Sequence, residues 1–167
     1  MSLFAKDIET MDDLLLHGLK DIYYAEKQIL KALPKMAKAA KDKELQQAFR
    51  NHLKETEQHV ARIEQICQSL GVTPRGKKCV GMEGLIEEGN EMINEANPEA
   101  LDAGLISKAQ HVEHYEMAGY GTVRTYALQL GYDDQAQLLQ QTLDEEGKAD
   151  HLLTELAEAG INLEAEV

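Results

Sequence analysis

Glu55 and His59 lie four residues apart, as do Glu146 and Asp150, and each pair falls where apolar residues otherwise recur with helical period. Residues four apart share one face of an α-helix, so each pair presents two ligand-type side chains to the same region. A carboxylate on a core-facing stripe costs several kcal/mol unless something compensates it. In a helical bundle the common compensation for several converging acids is a pair of metal ions. Metal binding is therefore the chemistry these residue types and spacings support.

The elements that must position them are readable from the same periodicity. A first long helix over 10–40 opens on Thr10 and Asp13, which resemble a capping box, and carries Leu15, Leu19, Ile22, Glu26, Ile29, Leu33 and Met36 on one stripe. Pro34 removes one backbone donor and should kink this helix, since the pattern continues beyond it. A second helix over 43–70 carries Leu45, Ala48, His52, Glu55, His59, Ile63 and Ile66 and stops at Gly71. Gly71, Pro74, Gly76 and Gly81 make residues 71–81 a loop. A shorter helix over 82–96 follows, closed by Asn97 and Pro98 and long enough to serve as a crossover. The third long helix, 98–130, carries Leu105, Ala109, Val112, Glu116, Tyr120, Val123 and Ala127 and ends at Gly131. The fourth, 133–157, carries Leu139, Leu143, Glu146, Asp150, Leu153 and Leu156.

No segment alternates with period two, so the fold is read as all-α. Helices joined short, long, short give a ferritin-like four-helix bundle in a single domain over 1–167, its long crossover carrying a short extra helix. Counting outward from the turn near residue 42 reaches Glu26 on one side and His59 at a similar distance on the other, and the turn near 132 relates Glu146 to Glu116 within about one helical turn. The polar core positions thus share one layer. Tyr24–Ala25–Glu26 is echoed by His114–Tyr115–Glu116, so the two hairpins read as halves of a pseudo-symmetric two-metal site. Glu113 and Glu116, three apart, are rivals on the third long helix, one able to bridge and one to bind terminally. His52 reads as a core histidine bonded to a neighbouring acid. Tyr23, Tyr24, Tyr115 and Tyr120 gather near the layer as core side chains with satisfied hydroxyls.

Composition narrows the partners. With 43% hydrophobic residues in 167 the chain can bury a sizeable core, and its net charge of -13 argues against nucleic acid or an anionic membrane surface. Residues 1–11 include Lys6, Asp7 and Glu9 and no apolar segment, so no signal peptide is expected, and no run of about 18 apolar residues occurs. Cys67 and Cys79 lack metal-site spacing and read as reduced thiols, which fits a cytoplasmic protein. Leu14, Leu15, Ile22 and Tyr23 span a wide arc of the first helix, which argues for a homodimer.

The segments DIYYAEKQILKALPKMA (21–37), HLKETEQHVARIEQ (52–65), KCVGMEGLIEE (78–88), VEHYEMAGYGT (112–122) and LDEEGKADHLLTELA (143–157) resemble the YciF-type stress-response proteins, the YciE/YciF family of the ferritin-like superfamily. The resemblance covers nearly the whole chain. It implies a bundle of rubrerythrin type, a homodimer and a di-iron or related metal site. Ferritins and rubrerythrins place a histidine three residues after the glutamates of their second and fourth long helices, where this chain has Gln58 and Ala149. The next positions, His59 and Asp150, take that place here, giving an oxygen-rich set suited to iron or manganese. The expected ligands of two iron or manganese ions are Glu26, Glu55, Glu146 and one or both of Glu113 and Glu116, assisted by His59 and Asp150. Two functions follow: ferrous-iron oxidation or peroxide protection under stress, or a non-catalytic structural or interaction protein acting as a dimer. A storage shell is disfavoured because no obvious fifth helix follows the fourth long one.

Overall fold

The computed structural model describes residues 8–166. The expectation about a signal peptide lies, for residues 1–7, outside that range. Five substantial helices are formed: α1 (Met11–Ala39), α2 (Lys43–Ser69), α3 (Val80–Glu95), α4 (Leu101–Gln129) and α5 (Asp133–Leu156). A π-turn over Ala157–Ile161 and a short turn of helix over Asn162–Glu164 follow α5. No strand occurs among the described residues. The chain is an all-α, ferritin-like four-helix bundle in which α1, α2, α5 and α4 succeed one another around the core, with α3 laid against α4 and α1.

Local chemistry sets the helix ends. At α1 the Asp13 N–H donates to Thr10 Oγ1 and the Thr10 N–H donates to Asp13 Oδ2, each at 3.1 Å, a reciprocal capping box. α1 then runs unbroken through Pro34. Asp42 caps α2 by accepting from the Glu44 and Leu45 N–H groups at 2.8 Å. α2 and α4 end on Gly71 and Gly131, at φ 67° and 77°, with the next N–H returning to Cys67 O and Ala127 O at 2.9 Å. These are Schellman caps, whose left-handed residue favours glycine. α4 begins at Leu101 and not near Pro98, because Asn97 Oδ1 accepts from the Ala100 N–H at 2.9 Å and holds the intervening residues as a turn. α3 begins two residues earlier than expected, at Val80, with the Cys79 thiol accepting from the Met82 N–H at 3.4 Å.

The buried carboxylate of Asp102, on α4, ties the turn between α1 and α2 to the bundle. Its oxygens accept from the Lys41 N–H at 2.9 and 3.1 Å and from the Asp42 N–H at 2.7 Å. The apolar arc on α1 is covered within the chain itself: Leu15, Ile22 and Tyr23 are buried, and Leu14 is half-buried.

The apolar core is divided in two. One cluster contains Ile29, Leu33, Phe49, Leu105 and Leu153; the other contains Leu19, Ile22, Ile63, Tyr120 and Leu139. Between them, on all four long helices, lies a slab of buried polar side chains: Glu26, His52, Thr56, His59, Glu113, Glu116, Thr142 and Glu146. This slab is where the site is built.

Candidate metal centre

Each long helix contributes to the slab at the point where its apolar stripe is interrupted. α1 supplies Glu26; α2 supplies His52 and, two turns on, His59; α4 supplies Glu113 and Glu116; α5 supplies Glu146. Glu26, His59 and Glu146 are fully buried, and Glu116 is 1% exposed. The ligand atoms fall into two groups, each within a sphere suited to one cation. Glu26, His59 and Glu146 form the first; His52, Glu113, Glu116 and Glu146 form the second. Glu146 belongs to both.

His59 Nδ1 lies 3.2 Å from Glu26 Oε1 and 3.0 Å from Glu146 Oε1. His52 Nε2 lies 3.3 Å from Glu113 Oε1 and 3.5 Å from Glu146 Oε2. Two carboxylates flank each of these nitrogens at ion-pair distance without hydrogen-bond alignment. Eight buried side-chain atoms lack a hydrogen-bond partner among the described residues: Glu26 Oε2, His52 Nε2, His59 Nδ1, Glu113 Oε2, both Glu116 oxygens and both Glu146 oxygens. All eight lie in this slab. Buried polar atoms are satisfied almost everywhere in folded proteins, so this concentration of unsatisfied ones, all of metal-ligating type, marks the slab as a place that could hold a metal ion. The carboxylate and imidazole donors of each group fit a metal ion of oxygen-preferring character.

Charge supports the same reading. Four buried carboxylates face two imidazoles, so even two protonated rings would not balance the four acids if all were ionised. Burial first, then Glu26, Glu146 and Glu113, push the Glu116 carboxyl well above the usual carboxylate range. Burial raises Glu26 and Glu146 as well, against the opposing pull of His59. Burial would depress His59, but Glu146 and Glu26 outweigh it and lift the ring to about 10. Burial likewise opposes the His52 proton, while Glu113 and the neighbouring acids raise its pKa well above the ordinary value. All these shifts run upward, so without cations this slab retains protons that the same groups would shed in water.

The surroundings orient these groups. His59 Nε2 lies 3.0 Å from Glu145 Oε2, and Arg62 holds the same carboxylate, with Nη2 3.0 Å from Oε1. With Nε2 bonded to Glu145, Nδ1 is the nitrogen that faces Glu26 and Glu146. The Tyr120 hydroxyl, fully buried, donates to Glu26 Oε1.

Of the residues expected from the sequence, Glu26, His59, Glu113, Glu116 and Glu146 are brought together. Glu113 and Glu116 enter the same group, so the two rivals lie side by side. Glu55 lies outside both groups: its side chain is 47% exposed and reaches His52 Nδ1 at 3.3 Å, and that imidazole holds its carboxyl below the ordinary range. Asp150 also lies outside, accepting from Gln110 Nε2 at 3.1 Å and lying 3.2 Å from His114 Nε2. His52 bonds its neighbouring acid as expected, and its other nitrogen joins the second group. Glu145 escaped the sequence reading, although Arg62 at the i+3 position from His59 was a signal for it. Three of the four tyrosines bond acids outside the slab: Tyr23 donates to Glu64 at 2.8 Å, Tyr24 to Glu83, and Tyr115 to Asp21 at 2.8 Å.

Together the fold and the slab define a ferritin-like helical bundle with a carboxylate–histidine core. The chain belongs to the family described as Domain of unknown function (DUF892), which matches residues 10–166. It is 48% identical over 162 residues to Protein YciF of Escherichia coli strain K12, covering 96% of this chain and 98% of that protein. The crystal structure of the E. coli stress protein YciF superimposes with a TM-score of 0.89, covering 93% of this chain and 99% of that one. YcfI of Rhodopseudomonas palustris, whose description proposes a structural role, superimposes at 0.86 with 46% identity, covering 91% and 98%. A protein of Xanthomonas campestris, 22% identical, shares the fold with a TM-score of 0.75 over 93% and 96% of the two chains. No described helix is long and apolar enough to cross a membrane.

Proposed function

We propose that this protein holds two iron or manganese ions in the buried slab and acts in stress protection, through ferrous-iron oxidation or peroxide removal. The eight unpartnered ligand atoms, confined to one layer of the bundle, carry this reading. Glu26 and His59 would serve one ion, His52, Glu113 and Glu116 the other, and Glu146 both. Bound ions of this kind supply one-electron redox chemistry and polarise oxygen ligands. The chain's own part is to fix the ligands, exclude bulk water between two apolar clusters, and hold the Tyr120 proton on its hydroxyl, where burial and Glu26 raise its pKa well above that of a free phenol. The likeness to the stress protein YciF supports the physiological setting. Free, buried Cys67 and Cys79 support a cytoplasmic location. The homodimer rests on the family resemblance alone, because the α1 arc is already covered; light scattering at micromolar concentration tests it.

Anaerobic titration with ferrous iron or manganese tests the centre. Two ions per chain should bind, and the Glu26→Ala, Glu146→Ala double variant should lose them while retaining its helical circular dichroism. Equal binding by both proteins defeats the reading. A parent that binds no metal supports the second reading, a non-catalytic structural protein, which the description of the R. palustris relative favours.

A further inference from the structure

A cleft of about 340 Å³ opens between α2 and α5 and runs inward to the slab. Glu55, His52, Glu113, Glu145 and Lys148 supply its polar walls, and Ala149 belongs to the α5 side. At roughly 30 Å³ per water molecule in the liquid, this space accommodates a hydrated divalent cation.

The acids and the imidazole form a graded series from solvent to core. The Glu55 side chain is 47% exposed and that of His52 only 7%. Glu113 is at 4% and Glu146 at 0%. Glu55 Oε2 to His52 Nδ1 is 3.3 Å, and His52 Nε2 reaches Glu113 Oε1 at 3.3 Å and Glu146 Oε2 at 3.5 Å. His52 Nε2 and Glu113 Oε2, both on residues more than nine-tenths buried, are among the unpartnered atoms at the inner end. Glu145 contributes little free charge because Arg62 grips both its oxygens. Lys148 is exposed at the rim, where solvent screens its charge.

We propose that this cleft is the entrance through which a hydrated divalent cation reaches the two-metal centre, with Glu55 as the transient ligand at its mouth and His52 as the ligand that takes the ion inward. The proposal rests on the two-metal reading above and gives Glu55 a role that its place outside both ligand groups leaves open. Glu55 exchanges some of the ion's hydration for a carboxylate while water still supplies the remaining ligands. His52, already touching acids on both sides, presents the next donor at the point where water is excluded.

The test is stopped-flow loading of the metal-free, full-length protein with cobalt(II), followed by its visible absorption, together with equilibrium stoichiometry. Glu55→Gln should slow loading by roughly 10-fold at low ionic strength and leave the final number of ions unchanged. Ala149→Leu, which narrows the cleft without replacing a ligand, should slow it comparably, with circular dichroism confirming the fold. Unchanged loading rates in both variants overturn the entrance. Loss of one bound ion in Glu55→Gln also overturns it, by making Glu55 a ligand of the filled centre. A parent that takes up no cobalt, iron or manganese overturns the two-metal reading itself, and the entrance with it.

Discussion

Glu145 and Glu146 are neighbours in the chain, yet they face opposite nitrogens of the same ring. Glu145 Oε2 lies 3.0 Å from His59 Nε2, and Glu146 Oε1 lies 3.0 Å from His59 Nδ1. Successive helical residues are about 100° apart, so α5 places one carboxylate inside the slab and the other at its edge, where Arg62 neutralises it. Burial opposes ionisation of Glu145, but the Arg62 guanidinium prevails and keeps it below the usual carboxylate range.

This clamp predicts that Glu145→Gln weakens metal binding by roughly 10- to 100-fold without changing the number of ions bound, since it orients His59 from outside the ligand groups. Competition against a chromophoric chelator measures the affinity. An unchanged affinity would show that the apolar packing alone orients the ring.

The slab also predicts how stability varies with pH. Groups whose pKa is raised by folding stabilise fully below their unfolded value, and that stabilisation is lost as pH rises through the folded one. For His59 the window runs from 6.5 to about 10, and Glu26, Glu116 and Glu146 add losses that begin above 4.5. The melting temperature with chelator should therefore fall between pH 6.5 and 10. With excess manganese the fall should be smaller, because protons and metal compete for the same atoms. Parallel, flat profiles under both conditions would contradict the assignment.

Both Glu116 oxygens lack a hydrogen-bond partner among the described residues, and burial together with Glu26, Glu146 and Glu113 pushes its carboxyl well above the usual carboxylate range. Glu116→Gln removes a carboxyl that the slab disfavours in its charged form and supplies an amide able to donate to Glu146. The metal-free protein should gain on the order of 1 kcal/mol, and the further stabilisation by manganese should shrink. Paired melts, with chelator and with metal, read both effects. A loss of stability in the metal-free state would show that Glu116 is already paired.

Asp102 tests the frame independently of the metal. Asp102→Ala removes a buried carboxylate that accepts from the Lys41 and Asp42 N–H groups, which should cost about 2 kcal/mol in urea unfolding. Because the turn it ties lies away from the slab, metal stoichiometry should be retained.

The sequence by itself determined the helices, their order and the existence of a polar layer, because each of these is local or periodic. The interruption of the α1, α2, α4 and α5 stripes by Glu26, His59, Glu116 and Glu146 at matching heights was legible because helical rise is constant. Tertiary structure decided which flanking residues turn inward. On α2, Glu55 and Thr56 are adjacent polar residues that both lie within one turn of His52 and His59, and periodicity alone does not choose between them. Packing buries Thr56, whose hydroxyl donates to His52 O at 2.8 Å, and leaves Glu55 at the cleft mouth. On α5 the same small rotation gives Asp150 to Gln110 and His114, and gives Glu145 to His59 and Arg62. The sharing of Glu146 between two ligand groups needed all four helices at once, since its partners come from α1, α2 and α4. A one-dimensional pattern sets the height of a side chain along a helix, while its azimuth against three neighbours is fixed only when the bundle closes.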